Sequence, residues 1–120
     1  MMRERRNFRR IVINASVLIF VEDYAAEISG RVKDISEESI GLEFNINDEL
    51  KKALEDKGMV RFQFVDTYRD GSRNRTEVVQ ACALIKRTTV AEDVCIIGCM
   101  VRDDNFKKYV VKRKLSAYFT

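Results

Sequence analysis

A small antiparallel β-barrel carrying a C-terminal helix is the fold class this sequence predicts, and three observations predict it. Apolar residues recur with period two in several short segments, turn signals separate those segments, and the last stretch switches to helical spacing. At 120 residues the chain is the size of one domain, and 46% hydrophobic with 34% charged residues is composition enough for a core and a solvated surface.

Taken in order, residues 1–12 precede the pattern and hold Arg3, Arg5, Arg6, Arg9 and Arg10 against Glu4 alone. That segment carries +4, so in a chain of net charge +3 the remainder carries −1. Residues 14–21 supply a first strand, and Ile28, Gly30 and Val32 mark a second. In the third, Ile40, Leu42, Phe44 and Ile46 alternate with Gly41, Glu43 and Asn45, so one face turns inward. A short helix then interrupts the strands. Asn47 is its N-cap, Asp48 and Glu49 occupy the first turn, Leu50, Ala53 and Leu54 share a face, and Lys57-Gly58 ends it. Val60, Phe62 and Phe64 resume the alternation in a strand expected to end near Val65. The next is expected to start near Thr76, with Asp70-Gly71 turning a long hairpin between them. Residues 77–87 and 94–101 complete about six strands. In the last of these both faces are apolar or small, which predicts a strand covered on both sides. From Asp103-Asp104 onward Phe106, Tyr109 and Val110 fall on one helical face, and Lys107, Lys108, Lys112, Arg113 and Lys114 read as its solvated side.

Missing residue types narrow the chemistry. Histidine is absent, which removes the commonest metal ligand and the base of Ser-His and Cys-His nucleophile pairs. Cys82, Cys95 and Cys99 form no CxxC pair and read as buried thiols rather than a zinc site. With no base, metal cluster or phosphate-cradling glycine loop in view, an enzyme is the least expected class. No apolar run approaches the roughly 20 residues of a membrane-spanning helix. The arginine-rich start has no secretory-signal pattern behind it, so a cytoplasmic location is expected. The arm points to an anionic partner, because guanidinium is always charged and grips phosphate or the guanine O6/N7 edge bidentately. A nucleic acid is disfavoured, since the body without the arm is net negative.

Two segments stand apart from barrel building: Glu4-Arg5-Arg6-Asn7-Phe8-Arg9-Arg10, and Asp34-Ile35-Ser36-Glu37-Glu38-Ser39-Ile40-Gly41 at the junction of two expected strands. Together with the late Ile97-Gly98-Cys99-Met100-Val101 they resemble the PilZ domain. The arm reads as RRxxxR with Arg5, Arg6 and Arg10. The junction reads as DxSxxG with Asp34 and Ser36 in place, and Ser39 stands where the family has glycine.

What the resemblance implies is a six-stranded Greek-key barrel with a C-terminal helix that binds the bacterial second messenger cyclic di-GMP, without catalysis, cofactor or metal. Its ligand-binding residues would be Arg5, Arg6, Arg10, Asp34 and Ser36, with Ser39 and Gly41 shaping the backbone beside them. The chemistry agrees, since arginines neutralise phosphate or stack on guanine, Asp34 accepts from guanine N1–H and N2–H₂, and Ser36 donates. Arg9 lies outside the pattern and reads as solvated. If Ser39 takes a positive φ, its Cβ costs on the order of 1 kcal/mol and weakens affinity; Gly41 either supplies the missing freedom or packs under a neighbour. The expected organisation is a basic ligand-binding arm at 1–12, mobile until ligand orders it, on a single barrel domain at 13–120. A protein effector receives the signal. The alternative is a degenerate interaction adaptor that does not bind the dinucleotide.

Overall fold

Six strands and two helices follow one another as β1 (Ser16–Phe20), β2 (Ile28–Ser36), β3 (Ser39–Asn45), α1 (Asp48–Lys57), β4 (Met59–Asp70), β5 (Arg73–Ala91), β6 (Val94–Met100) and α2 (Asp104–Phe119). The structure is a computed structural model, and it describes residues 9–119. All strand pairs are antiparallel, and the order β1-β2-β3-β6-β5-β4 closes on itself through pairing of β1 with β4. After three hairpin-connected strands the chain returns to the far side of β1, which is the Greek-key order 4-1-2-3.

The inward faces are those the alternation marked. Ile19, Val32, Ile35, Ile40, Leu42, Phe62 and Ile97 are all fully buried. At this scale burying such a side chain contributes roughly 1.5–3 kcal/mol, so the period-two pattern fixes the register: a one-residue slip would turn each strand's apolar set to solvent. α1 starts and stops where its signals stand, and α2 starts where expected but runs past residues 112–114 to Phe119. Asn47 Oδ1 accepts from the Leu50 N–H at 2.8 Å, and Gly58, at φ 69°, returns its own N–H to the Leu54 carbonyl. Asp103 Oδ1 accepts from the Phe106 N–H at 2.9 Å. The buried face of α2 is aromatic: Phe106 meets the Phe62 ring edge-on at 5.8 Å, and Tyr109 meets Phe64 at 6.0 Å.

Four expectations are corrected. β4 and β5 run on to Asp70 and from Arg73 around Gly71, instead of stopping near Val65 and Thr76. The polar stretch is a strand because α2 supplies partners for its inward side chains. Asp66, only 4% exposed, accepts from the Tyr109 hydroxyl at 2.6 Å and from Arg113 Nε at 2.8 Å. Beside it the Tyr68 hydroxyl donates to Glu77, which Lys112 also reaches at 3.2 Å. On α2 the basic residues Lys107, Lys108 and Lys112 are exposed as expected, whereas Arg113 and Lys114 are partly buried. Lys112, Arg113 and Lys114 each hold a carboxylate, Lys114 that of Glu37 at 2.7 Å. β6 is not covered on both sides, since Cys95, Ile97 and Cys99 are buried while Val94, Ile96, Gly98 and Met100 alternate with them half-exposed. Cys82 is exposed, because the period-two of β5 turns Val79 and Ala83 inward and Cys82 out.

Candidate functional site

The junction motif folds as the β2–β3 hairpin, with Ser36 opposite Ser39 across the turn Glu37-Glu38. Regular pairing would continue in steps of two, but the register shifts between Val32 and Asp34, so one extra residue, Lys33, bulges from β2. The bulge brings Asp34 opposite Gly41 on the outer face of the barrel. Here the glycine is needed for close approach. A Cβ on Gly41 would lie 2.9 Å from Asp34 Oδ1, so the carboxylate rests where any other side chain would stand. Of the two readings of Gly41, packing under a neighbour is the one observed.

Pairing of β1 with β2 ends at Ser16–Arg31, and the preceding residues continue along the same edge in irregular form. Val32 N–H donates to the Ala15 carbonyl, and Ile11 and Ile35 exchange both backbone bonds at 2.9 Å. This bridge sets the end of the arm beside the junction. Arg10 Nη1 lies 3.0 Å from Asp34 Oδ1, with the two side chains 44% and 28% exposed. An ion pair this open contributes about 0–1 kcal/mol, so the carboxylate is held without being committed. The mobility expected of the arm at 1–12 does not extend to Ile11, which is bonded at both N–H and C=O. Arg9 is exposed, as read from its place outside the motif. Arg5 and Arg6 lie outside the described residues.

Ser36 is buried, and its hydroxyl is 2.6 Å from that of Ser39, one donating to the other. Ser39 does not have positive φ: among the described non-glycine residues only Asp23 and Glu92 do. The strain anticipated at Ser39 is absent because the residue is the first of β3, paired to Ser36 in ordinary extended backbone. What the serine adds is a hydrogen-bond partner for a buried hydroxyl.

The same outer face continues across two more strands. Gly41 is opposite Gly98 of β6, and Gly98 is opposite Arg87 of β5, so Asp34, Gly41, Gly98 and Arg87 form one row across β2, β3, β6 and β5. β5 also carries a register shift, between Ile85 and Arg87, with Lys86 the extra residue. The Arg87 guanidinium lies over Gly98, Nη2 being 3.3 Å from where a Cβ would be. Sequence reasoning missed Arg87. A glycine at mid-strand in both β3 and β6 was the available signal of a close approach, but only the register shows which side chain uses it. Among the described residues no group of His, Cys, Asp and Glu side chains is placed to hold a metal ion.

No protein-family model matches the sequence, and no curated protein matches it by sequence. Solved structures do match. The PilZ domain of CeSA from a cellulose-synthesizing bacterium aligns over 93% of this chain and 99% of its own, with TM-score 0.52 at 15% identity. The fold is that of a PilZ domain. The PilZ domain of YcgR from Escherichia coli, solved with c-di-GMP, aligns over 92% of this chain and 88% of its own at TM-score 0.57 and 12% identity. The inhibitor of motility MotI/DgrA of Bacillus subtilis aligns over 94% of this chain at TM-score 0.58 and 15% identity. The chain spans about half the length of that protein, 53% of it. In this PilZ fold Arg10 meets Asp34 of the junction on the outer face of β2 and β3, and no described helix is long and apolar enough to cross a membrane.

Proposed function

We propose that this PilZ-fold chain is a receptor for cyclic di-GMP, binding it on the outer face of β2 and β3 without chemical conversion. The observation that carries the reading is the placement of Arg10 against Asp34 over Gly41. Residues 24 positions apart in the chain are brought together at the surface, where their pairing adds little stability. The likeness of fold to a PilZ domain solved with c-di-GMP supports it.

In the free protein Arg10 and Asp34 neutralise each other. The ligand offers each a better partner: guanine N1–H and N2–H₂ for the acceptor-only carboxylate, phosphate for the guanidinium fork. Arg5 and Arg6 add positive charge for the two phosphates, and the arm closes over the bound molecule. The Ser36 hydroxyl, now shared with Ser39, turns to donate to the ligand. The event is passed to a protein effector in the cytoplasm through the ordered arm and through Glu37, which follows Ser36 and is tied to α2 by Lys114.

Calorimetric titration of the purified chain tests the reading. Cyclic di-GMP is expected to bind, and cyclic di-AMP and GTP to bind far more weakly. Absence of binding, or equal affinity for all three, overturns it, and absence leaves the adaptor as the surviving role.

A further inference from the structure

We infer that Arg87 and Asp34 clasp one guanine of the ligand between them, edge against edge, over a floor made of Gly41 and Gly98. The inference rests on the receptor reading above and adds to it a residue that the arm and junction motifs do not contain.

Four features converge on it. First, Asp34 and Arg87 end the same row, and each follows directly on a one-residue bulge that places it opposite a glycine. Bulges of this kind re-aim side chains, and two of them flanking one row aim two heads toward its middle. Second, both heads do lean inward, the carboxylate over Gly41 and the guanidinium over Gly98. Third, the two residues between them carry no side chain of their own, so once the two heads swing apart they leave a floor of backbone, two strands wide at a spacing of roughly 4.8 Å, on which a planar ring can lie flat. Fourth, Arg87 is exposed and has no hydrogen-bond or ion-pair partner among the described residues, in contrast to Arg10, Arg31, Arg75 and Arg113.

The two heads are complementary to two adjacent edges of guanine. A carboxylate accepts from N1–H and N2–H₂, whereas a guanidinium fork donates to O6 and N7. Adenine fails at both ends. It has no N1–H for Asp34, and its N6 amino group turns a donor toward Arg87.

Titrations with cyclic di-GMP and with its inosine analogue, cyclic di-IMP, separate the two roles, because hypoxanthine keeps O6 and N7 but lacks the 2-amino group. The wild-type chain is expected to prefer cyclic di-GMP. Arg87→Ala is expected to weaken both ligands by the same factor, about tenfold or more given the worth of a bidentate base contact, and so leave the preference unchanged. Asp34→Ala is expected to collapse the preference. Arg87→Lys, which keeps the charge and loses the fork, should bind as poorly as Arg87→Ala.

If wild type binds and loses affinity with Asp34→Ala while Arg87→Ala binds as wild type, this inference is overturned and the receptor reading stands. Full affinity in Arg87→Lys, or a preference altered by Arg87→Ala, also overturns it. If wild type binds no cyclic di-GMP, the receptor reading itself fails and the inference with it.

Discussion

The two ends of the β4–β5 pair divide the molecule into regions built on opposite terms. Where the hairpin meets α2, charged and polar groups are buried and every one of them is used. Asp66 accepts from Tyr109 and Arg113, Tyr68 donates to Glu77, and the Arg113 guanidinium sits 4.9 Å from the Tyr68 ring centre. On the outer face of β2, β3, β6 and β5 the charges are exposed, and the pair Arg10–Asp34 is the loose kind that solvent screens. Burial makes a polar contact costly to break, whereas exposure leaves it free to exchange partners. Stability is therefore concentrated at the hairpin and α2, and the proposed ligand chemistry falls at the row of glycines.

The sharpest way to break this division is to strike the stable region and measure affinity. Phe106→Ala removes a ring 1% exposed and packed edge-on to Phe62, and is expected to cost about 3–5 kcal/mol in urea unfolding. Asp66→Ala leaves the Tyr109 hydroxyl and the Arg113 guanidinium without their acceptor and should cost about 2–3 kcal/mol. In protein that remains folded, cyclic di-GMP affinity should stay within about twofold of wild type. A large loss of affinity in either variant would show the two regions to be one unit.

The reciprocal experiment strikes the site. Asp34→Ala is expected to weaken cyclic di-GMP binding by about 1–3 kcal/mol, because guanine donors buried in the complex lose their acceptor. Its unfolding free energy should change by no more than about 1 kcal/mol. A variant that binds normally but unfolds early would place Asp34 among the structural groups instead.

Alkali discriminates the regions without mutation. The Tyr68 hydroxyl is pushed up to about 12 by burial, by its hydrogen bond to Glu77 and by that carboxylate's charge. Tyr109 is raised for the same reasons, with Asp66 as its partner. Both belong to the α2 region. A folded-state value above the unfolded one means that the native state holds its proton more tightly. The stabilisation is complete below about pH 10 and is lost as pH rises from there through the folded values. The urea midpoint should accordingly fall between about pH 9 and about pH 11.5. Cys99, pushed up to about 12 by burial, adds a loss of the same sign. Tyr68→Phe should flatten the curve without abolishing it, and a midpoint indifferent to alkali would contradict the burial of these hydroxyls.

How much of this was legible in the sequence follows the same division. The strands, the α1 caps and the aromatic face of α2 were readable because period two, an Asn-to-Gly frame and the 106/109/110 spacing are local signals. The lengths of β4 and β5 were not, because Asp66 and Tyr68 look like loop residues until α2 arrives to satisfy them. At the site, Arg10, Asp34 and Ser36 were legible as motif residues, and the meeting of Arg10 with Asp34 depends on one bridge, Ile11 to Ile35. Arg87 was illegible for a physical reason. Its place opposite Gly98 is set by a bulge at Lys86, and because residues 86–90 are all exposed the shift falls where no inward apolar residue follows to reveal the change of phase.

Ser39 gives the smallest and most diagnostic effect. Read from the motif, serine in place of glycine suggested strain, and Ser39→Gly would then tighten binding. The structure removes that argument, since Ser39 is extended and its hydroxyl completes the hydrogen bonding of buried Ser36. Ser39→Gly should instead destabilise the chain by about 0.5–1.5 kcal/mol, the net worth of one hydrogen bond. Freed from Ser39, the Ser36 hydroxyl then has the ligand or water as its partner, so cyclic di-GMP affinity should remain within about twofold of wild type. A severalfold tightening, with stability unchanged, would mean that the bound state needs a backbone conformation at residue 39 that the free chain does not adopt. The hairpin would then be a moving part of the site rather than its fixed floor.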